Sequence, residues 1–209
     1  MITRSTLAVV LIAAAAALWS APVEGQRRVR IALQAGYAHA FDFGSGSVGG
    51  AVSVLVQRTD VVAVGGEAGH FGLGSHVWTV PFRNPTLGPT TLRERQERQF
   101  WFLAALARYS LPETWQANPY VIIGTGLYVL RETRTTRELL ARRDATHLMS
   151  LGSSGDSGHP GMSAGLGLEW RPGGSSWSAA GEVRVHSILG AGEGLCPVAV
   201  ASVGVTKRL

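Results

Sequence analysis

Gly161-Met162-Ser163-Ala164-Gly165-Leu166-Gly167-Leu168-Glu169-Trp170-Arg171 is the stretch that decides the fold. Met162, Ala164, Leu166, Leu168 and Trp170 share one parity, and Gly161, Ser163, Gly165, Gly167, Glu169 and Arg171 share the other. Side chains of a strand alternate between its faces with period two. One face is therefore apolar and carries an aromatic near its end. The other is neither apolar nor a water-facing surface rich in Lys and Glu. Small residues with an isolated charge suit a narrow interior, where the small ones leave room for a few long ones.

The same division recurs to either side. Trp177, Ala179, Val183 and Val185 oppose Ser178, Ala180, Glu182, Arg184 and His186. Val29, Ile31, Leu33, Ala35 and Tyr37 oppose Arg30, Ala32, Gln34 and Gly36, and Ala199, Ala201, Val203 and Val205 oppose Ser202, Gly204, Thr206 and Arg208. In all, strands are predicted at roughly 29–41, 48–57, 61–71, 99–109, 119–130, 160–170, 177–187 and 198–208. The fourth and fifth are apolar on both faces, so parity does not set their register. The joints at 58–60, 110–118 and 171–176 are tight; those at 72–98 and 131–159 are long, and those at 42–47 and 188–197 intermediate. An even number of antiparallel strands, with short turns at one end and longer connections at the other, is the pattern of an eight-stranded up-and-down transmembrane β-barrel. The predicted fold class is all-β.

The rest of the sequence is compatible with that class. A chain of 209 residues fits one domain, and its low charged content (16%) and abundant Gly (27 residues) argue against disorder or a coiled coil. Arg4 followed by the apolar run Leu7–Leu18 has the length of a signal peptide core, too short for a membrane helix. We expect residues 1–25 to be a signal peptide and 26–209 to be the barrel domain. A single cysteine, Cys196, excludes an intrachain disulfide.

The polar faces nominate an interior network of Arg30, Gln34, Glu67, Arg108, Glu169, Glu182, Arg184 and His186. Charges removed from water must pair or they cost several kcal/mol each, so an Arg–Glu network filling the lumen is expected. Aromatics are expected to form two girdles at the bilayer interfaces. Tyr109, Tyr120, Trp170 and Trp177 lie at the tight-turn end, and Phe41, Phe71, Phe100, Trp101 and Tyr128 at the long-loop end. With both termini in the periplasm, the long connections face outward. They are rich in arginine: Arg93, Arg95, Arg134, Arg137, Arg142 and Arg143 are candidate contacts for the phosphates of lipopolysaccharide or another polyanion. Arg137–Arg143, with Leu139 and Leu140, reads as a short amphipathic helix, and the Gly/Ser-rich Leu151–Gly158 as a mobile segment.

No catalytic constellation emerges. Gly44-Ser45-Gly46-Ser47-Val48-Gly49 has the spacing of a dinucleotide fingerprint, but a strand follows it where a helix is required, so it reads as a hairpin tip. His186 and Ser187 are adjacent and point to opposite faces, unlike the two-residue spacing that deacylase barrels use to bring base and nucleophile together. The six histidines form no compact ligand motif, and no nucleic-acid recognition motif accompanies the net charge of +5. No cofactor and no metal are expected.

Pattern and connection lengths together resemble the OmpA-like family of small outer-membrane β-barrel proteins, with its porin-like members. The resemblance covers nearly the whole mature chain. It implies an eight-stranded barrel in the bacterial outer membrane, surrounded by lipid and lipopolysaccharide and inserted by the outer-membrane assembly machinery. Such chains often end in Phe, whereas this one ends Val205-Thr206-Lys207-Arg208-Leu209. The function expected is non-enzymatic, structural or surface-interacting, in a monomer that binds no nucleic acid. The alternatives are a low-conductance porin-like channel and a lipid-modifying enzyme.

Overall fold

The computed structural model describes residues 29–41, 44–84, 88–111, 116–140, 150–173, 175–190 and 195–209. The segment expected to be a signal peptide lies outside them, as do Arg142 and Arg143. Eight strands follow in chain order: β1 (Val29–Ala40), β2 (Ser45–Gln57), β3 (Val62–Asn84), β4 (Gly88–Ser110), β5 (Ala117–Leu140), β6 (Ser150–Trp170), β7 (Trp177–Leu189) and β8 (Leu195–Arg208). Each pairs antiparallel with its neighbour, and β1 closes on β8 from Arg30↔Arg208 to Ala40↔Val198. The result is a closed eight-stranded up-and-down barrel.

The alternation read from β6 and β7 governs the wall. Met162, Leu166, Leu168, Trp170, Trp177, Val183 and Val185 face outward and are exposed, while Ser163, Glu169, Ser178, Glu182, Arg184 and His186 face inward and are buried. This is the inverse of a soluble protein, and it marks a wall whose solvent is hydrocarbon. No helix among the described residues is long and apolar enough to cross a membrane; the crossing is made by strands.

Three expectations need correction. First, 72–84, 88–98, 131–140 and 150–159 are strand, not loop. β3 and β4 stay paired from Ser75↔Glu97 to Asn84↔Gly88, β4 and β5 up to Thr90↔Leu140, and β5 and β6 from Val129↔Gly158 to Arg137↔Ser150. Four strands thus run past the barrel as one sheet, from about 24 Å on β6 to about 40 Å on β4 beyond the level of Phe100 at the rise of an antiparallel strand. Both faces of this sheet meet water, so Arg, Glu and Thr occupy both parities and no apolar period marks it. Second, Arg137–Leu140 continue β5 as strand, not helix, and Leu151–Gly158, expected to be mobile, are held in β6. Third, the expected Gly44–Gly49 tip is shorter. Gly44, at φ 60°, makes the turn, and Ser45–Gly49 already pair with β1. Where β3 leaves the barrel, the register shifts between Gly72 and Ser75 at a bulge in which Gly74 takes φ 86°.

The girdles also change. Trp101, Phe41, Tyr109, Trp170 and Trp177 are exposed on the outer wall, but Phe71, Phe100, Tyr120 and Tyr128 point inward and are buried. Each of three of these rings, and Phe102 beside them, lies over an inward glycine of the adjacent strand. A Cβ built on Gly49 would come within 2.5 Å of Phe71, on Gly69 within 2.5 Å of Phe102, on Gly161 within 2.7 Å of Tyr128, and on Gly167 closer still to Tyr120. The abundant glycine therefore creates the space in which the lumen aromatics pack.

Gly167→Ala is accordingly expected to destabilise the barrel by about 1–3 kcal/mol through overpacking against Tyr120. Gly181→Ala, where an added Cβ meets nothing within 4 Å, is expected to be neutral or mildly stabilising. Urea unfolding in lipid vesicles, followed by tryptophan fluorescence, measures both.

Candidate functional site

The lumen is filled in three layers. At the tight-turn end, Glu169 sits at the end of β6, and the neighbouring strand ends converge on it. Arg30 at the start of β1 lies 3.2 Å from Glu169 Oε2, and Arg108 near the end of β4 donates to the same oxygen. Ser178 Oγ donates to Oε1 at 2.6 Å, while Arg208 and Arg171 stand at 3.4 and 3.5 Å from it. Glu169 has no side-chain exposure. Its charge is tolerable there because so many donors surround it.

The middle layer is built on Arg184. Its Nη1 donates to Glu67 of β3 across the lumen, and its Nη2 lies 2.5 Å from Glu182 Oε1. Tyr120 donates its hydroxyl to Glu182 Oε2 at 3.0 Å. The Arg108 guanidinium lies 3.6 Å from the centroid of the Tyr120 ring and so joins the two charged layers.

Above them, toward the projecting sheet, the lumen turns apolar. Phe71, Phe100, Phe102 and Tyr128 stack with centroids 5.8 to 6.3 Å apart, and His186 packs against three of them at 5.2 to 5.8 Å. The Tyr128 hydroxyl and His186 Nδ1 are 3.0 Å apart. Phe71, Phe100, Tyr128 and His186 are essentially inaccessible. This aromatic layer closes the lumen.

Of the residues nominated from the sequence, Arg30, Arg108 and Glu169 come together in the first layer, and Glu67, Glu182 and Arg184 in the second. His186 belongs to the aromatic layer instead. Gln34 is inward-facing in the inner row of Ala51, Gly69, Phe102 and Tyr128. The nomination missed Ser178, Tyr120, Tyr128, Phe100 and Phe102. The aromatics lie on β4 and β5, where parity gave no register; the glycines they cover, at 69, 161 and 167, were the available signal.

Ser187 pairs in register with the outward Met162 while His186 is buried inside, so the two lie on opposite faces of β7 and cannot act together as nucleophile and base. His70 and His76 do not converge on a common site: His70 bonds Gln99 at 3.0 Å and stacks on Trp101, and His76 packs against Trp78. Among the described residues there is no group of three potential metal ligands.

On the projecting sheet, most arginines are matched by acids. Arg95 pairs with Glu97 at 2.6 Å, Arg98 and Arg134 with Glu132 at 3.1 and 3.4 Å, and Arg131 with Asp156 at 3.6 Å. Arg93 is exposed and stands directly opposite position Arg137 in the β4–β5 register, with Arg95 two residues away on the same face. Arg134 is on the opposite face. The outer region is thus less uniformly basic than its arginine content suggests, and among the candidate arginines whose side chains are described Arg93 is exposed and makes no ion pair with a described acid.

Closed strand order, apolar outer wall and filled polar lumen define a transmembrane β-barrel of the small outer-membrane type. Structural comparison agrees on the fold. Over 88% of this chain and 97% of the other, the barrel is similar to Neisserial surface protein A (TM-score 0.53, 11% identity). It is similar over 87% of this chain to a major outer membrane protein of Thermus thermophilus, covering 99% of that chain (TM-score 0.50, 12% identity). Ail, the attachment invasion locus protein of Yersinia pestis, crystallised with the heparin analogue sucrose octasulfate, aligns over 88% of this chain and 100% of its own (TM-score 0.49, 10% identity). No family model matches the sequence, and no curated protein does.

Glu169→Gln is expected to cost about 3–5 kcal/mol of unfolding free energy, because it leaves the buried guanidinia without their shared counter-charge. Arg30→Met and Arg108→Met combined with Glu169→Leu, which remove both buried guanidinia with their acid, are expected to recover part of that loss. Denaturant unfolding in vesicles distinguishes the two variants.

Proposed function

We propose that this chain is a non-enzymatic outer-membrane protein whose work is done at the cell surface by the sheet that β3–β6 extend beyond the barrel. In this reading both termini lie in the periplasm, the chain acts as a monomer inserted by the outer-membrane assembly machinery, and the barrel is an anchor. The observation that carries the reading is the division of the molecule. The lumen is packed with groups bonded to one another, whereas the projecting sheet presents its side chains to solvent.

The class of partner follows from the row at Arg93 and Arg137. Like charges directly opposite each other on adjacent strands are destabilising. An anionic partner relieves that repulsion, and guanidinium groups match phosphate and sulfate geometry. Lipopolysaccharide phosphates or another surface polyanion fit this role. The porin-like alternative is disfavoured by the aromatic layer of Phe71, Phe100, Phe102, Tyr128 and His186, which sets packed apolar rings in the lumen.

Two measurements test the proposal. Binding of lipopolysaccharide to the detergent-folded protein should weaken with salt, and Arg93→Glu with Arg137→Glu should weaken it by about tenfold, about 1.4 kcal/mol. Salt-independent binding unchanged in this variant would remove the polyanion role. In planar bilayers the wild type should show no steady single-channel current, whereas Phe102→Ala with Phe100→Ala should admit small, flickering currents. Large, stable conductance in the wild type would restore the channel reading.

A further inference from the structure

The outer wall carries a feature that the plug and the projecting sheet do not use. A groove of about 500 Å³ crosses the membrane-facing surface of β1–β5. Two hydrogen-bonded rows supply its outward residues, and Gln34, Ala51, Gly69 and Phe102 of the inner row between them complete the lining. Leu33, Val52, Ala68, Leu103 and Leu127 are register partners in one row; Gly50, His70, Trp101 and Val129 are partners in the next. Gly50 and Ala68 are too small to fill the wall at its centre, and Leu33, Val52 and Trp101, all exposed, stand around the dip. His70 is the one ionisable side chain in the lining.

A second depression of about 540 Å³ lies at the outer rim, along the same strands where the sheet leaves the barrel. Its lining includes Ser45, Ser47, Ser75, Arg95, Glu97, Gln99 and Thr133. A hydrogen bond links the two: His70, in the apolar groove, bonds Gln99, in the polar cleft, at 3.0 Å. His70 is held in place by stacking on Trp101 at 4.1 Å. Arg95 and Glu97, paired with each other at 2.6 Å, are each about half exposed and free to exchange partners at little cost.

We propose that groove and cleft form one binding site for a single membrane lipid, its acyl chain in the groove and its phosphate-bearing headgroup in the cleft. The position of the groove selects the occupant: it opens into the hydrocarbon of the bilayer, so an acyl chain is the material that meets it. The cleft, which Gln99 links to it, supplies what a headgroup at the interface needs, a guanidinium for the phosphate, with hydroxyl and amide groups for its ester or sugar oxygens. His70 and Gln99 mark the depth at which chain gives way to head. This site rests on the membrane-embedded reading of the barrel. It is separate from the Arg93/Arg137 row and does not depend on a polyanion partner.

Native mass spectrometry of protein reconstituted in vesicles of phosphatidylethanolamine and phosphatidylglycerol, then released in mild detergent, tests the site. The wild type should retain one lipid. Ala68→Phe, which fills the groove from its centre, should lower the retained fraction about tenfold, about 1.4 kcal/mol. Arg95→Ala with Gln99→Ala should lower it by a smaller factor, and Leu166→Phe, on the wall of β6 away from the groove, should leave it unchanged. Millimolar inorganic phosphate should not displace the lipid, since the acyl chain supplies most of the contact. The heat-dependent shift in gel mobility of a folded barrel is measured on every sample. Should Ala68→Phe lose that shift, Ala68→Leu replaces it. Folded Ala68 variants that retain lipid like the wild type would overturn the proposal, as would stripping by phosphate alone. Loss of the gel shift in the wild type would instead count against the membrane-embedded reading itself.

Discussion

Everything else in this molecule depends on the pairing of β1 with β8. Inside a bilayer no water is available to satisfy a backbone N–H or C=O, and each one left open costs several kcal/mol. A sheet of eight strands with free edges could not stay there. Closure from Arg30↔Arg208 to Ala40↔Val198 removes both edges, and the remaining architecture follows. Eight strands fix a narrow lumen, which can be filled by side chains but not left as a wide pore. The filling must then satisfy itself.

That filling is graded. Near the tight turns it is ionic, centred on Glu169; in the middle it is a carboxylate–guanidinium–carboxylate arrangement on Arg184; toward the projecting sheet it is aromatic. A charge in this environment is stable only with its partners, which is why removing one acid is more harmful than replacing an entire pair by apolar groups. The gradation also ties structure to role. A lumen packed in this way leaves the outer sheet and the outer wall as the surfaces on which partners can act.

How much of this was legible in the sequence depends on how strongly the two environments differ along each strand. On β6 and β7 the outer parity meets lipid and the inner parity meets a crowded polar lumen, so Leu166 beside Gly165 and Val183 beside Arg184 read plainly. On β4 and β5 the inner parity is itself apolar, with Phe100, Phe102, Ile122 and Tyr128 buried inside. Period-two contrast vanishes there, so the strand-end positions of Phe100, Tyr120 and Tyr128 read as interfacial although their rings point inward. The projecting sheet was illegible for the converse reason: Arg93, Glu94, Arg95 and Glu97 alternate between two wet faces. Its strand character lies in backbone pairing and in β-branched residues such as Thr133, Thr135 and Thr136, not in hydrophobic pattern. The lipid groove could not be read from any single strand, because Gly50, Ala68 and Trp101 become neighbours only through register.

Amide hydrogen exchange in lipid vesicles tests closure most directly. If the barrel is sealed, the amides of Val29–Ala40 in β1 and of 198–207 in β8 will exchange as slowly as those at the centre of β4 and β5. Exchange of either terminal strand within minutes, while the central strands stay protected, would show an open edge and contradict the closed barrel on which the fold, the plug and the binding surfaces all rest.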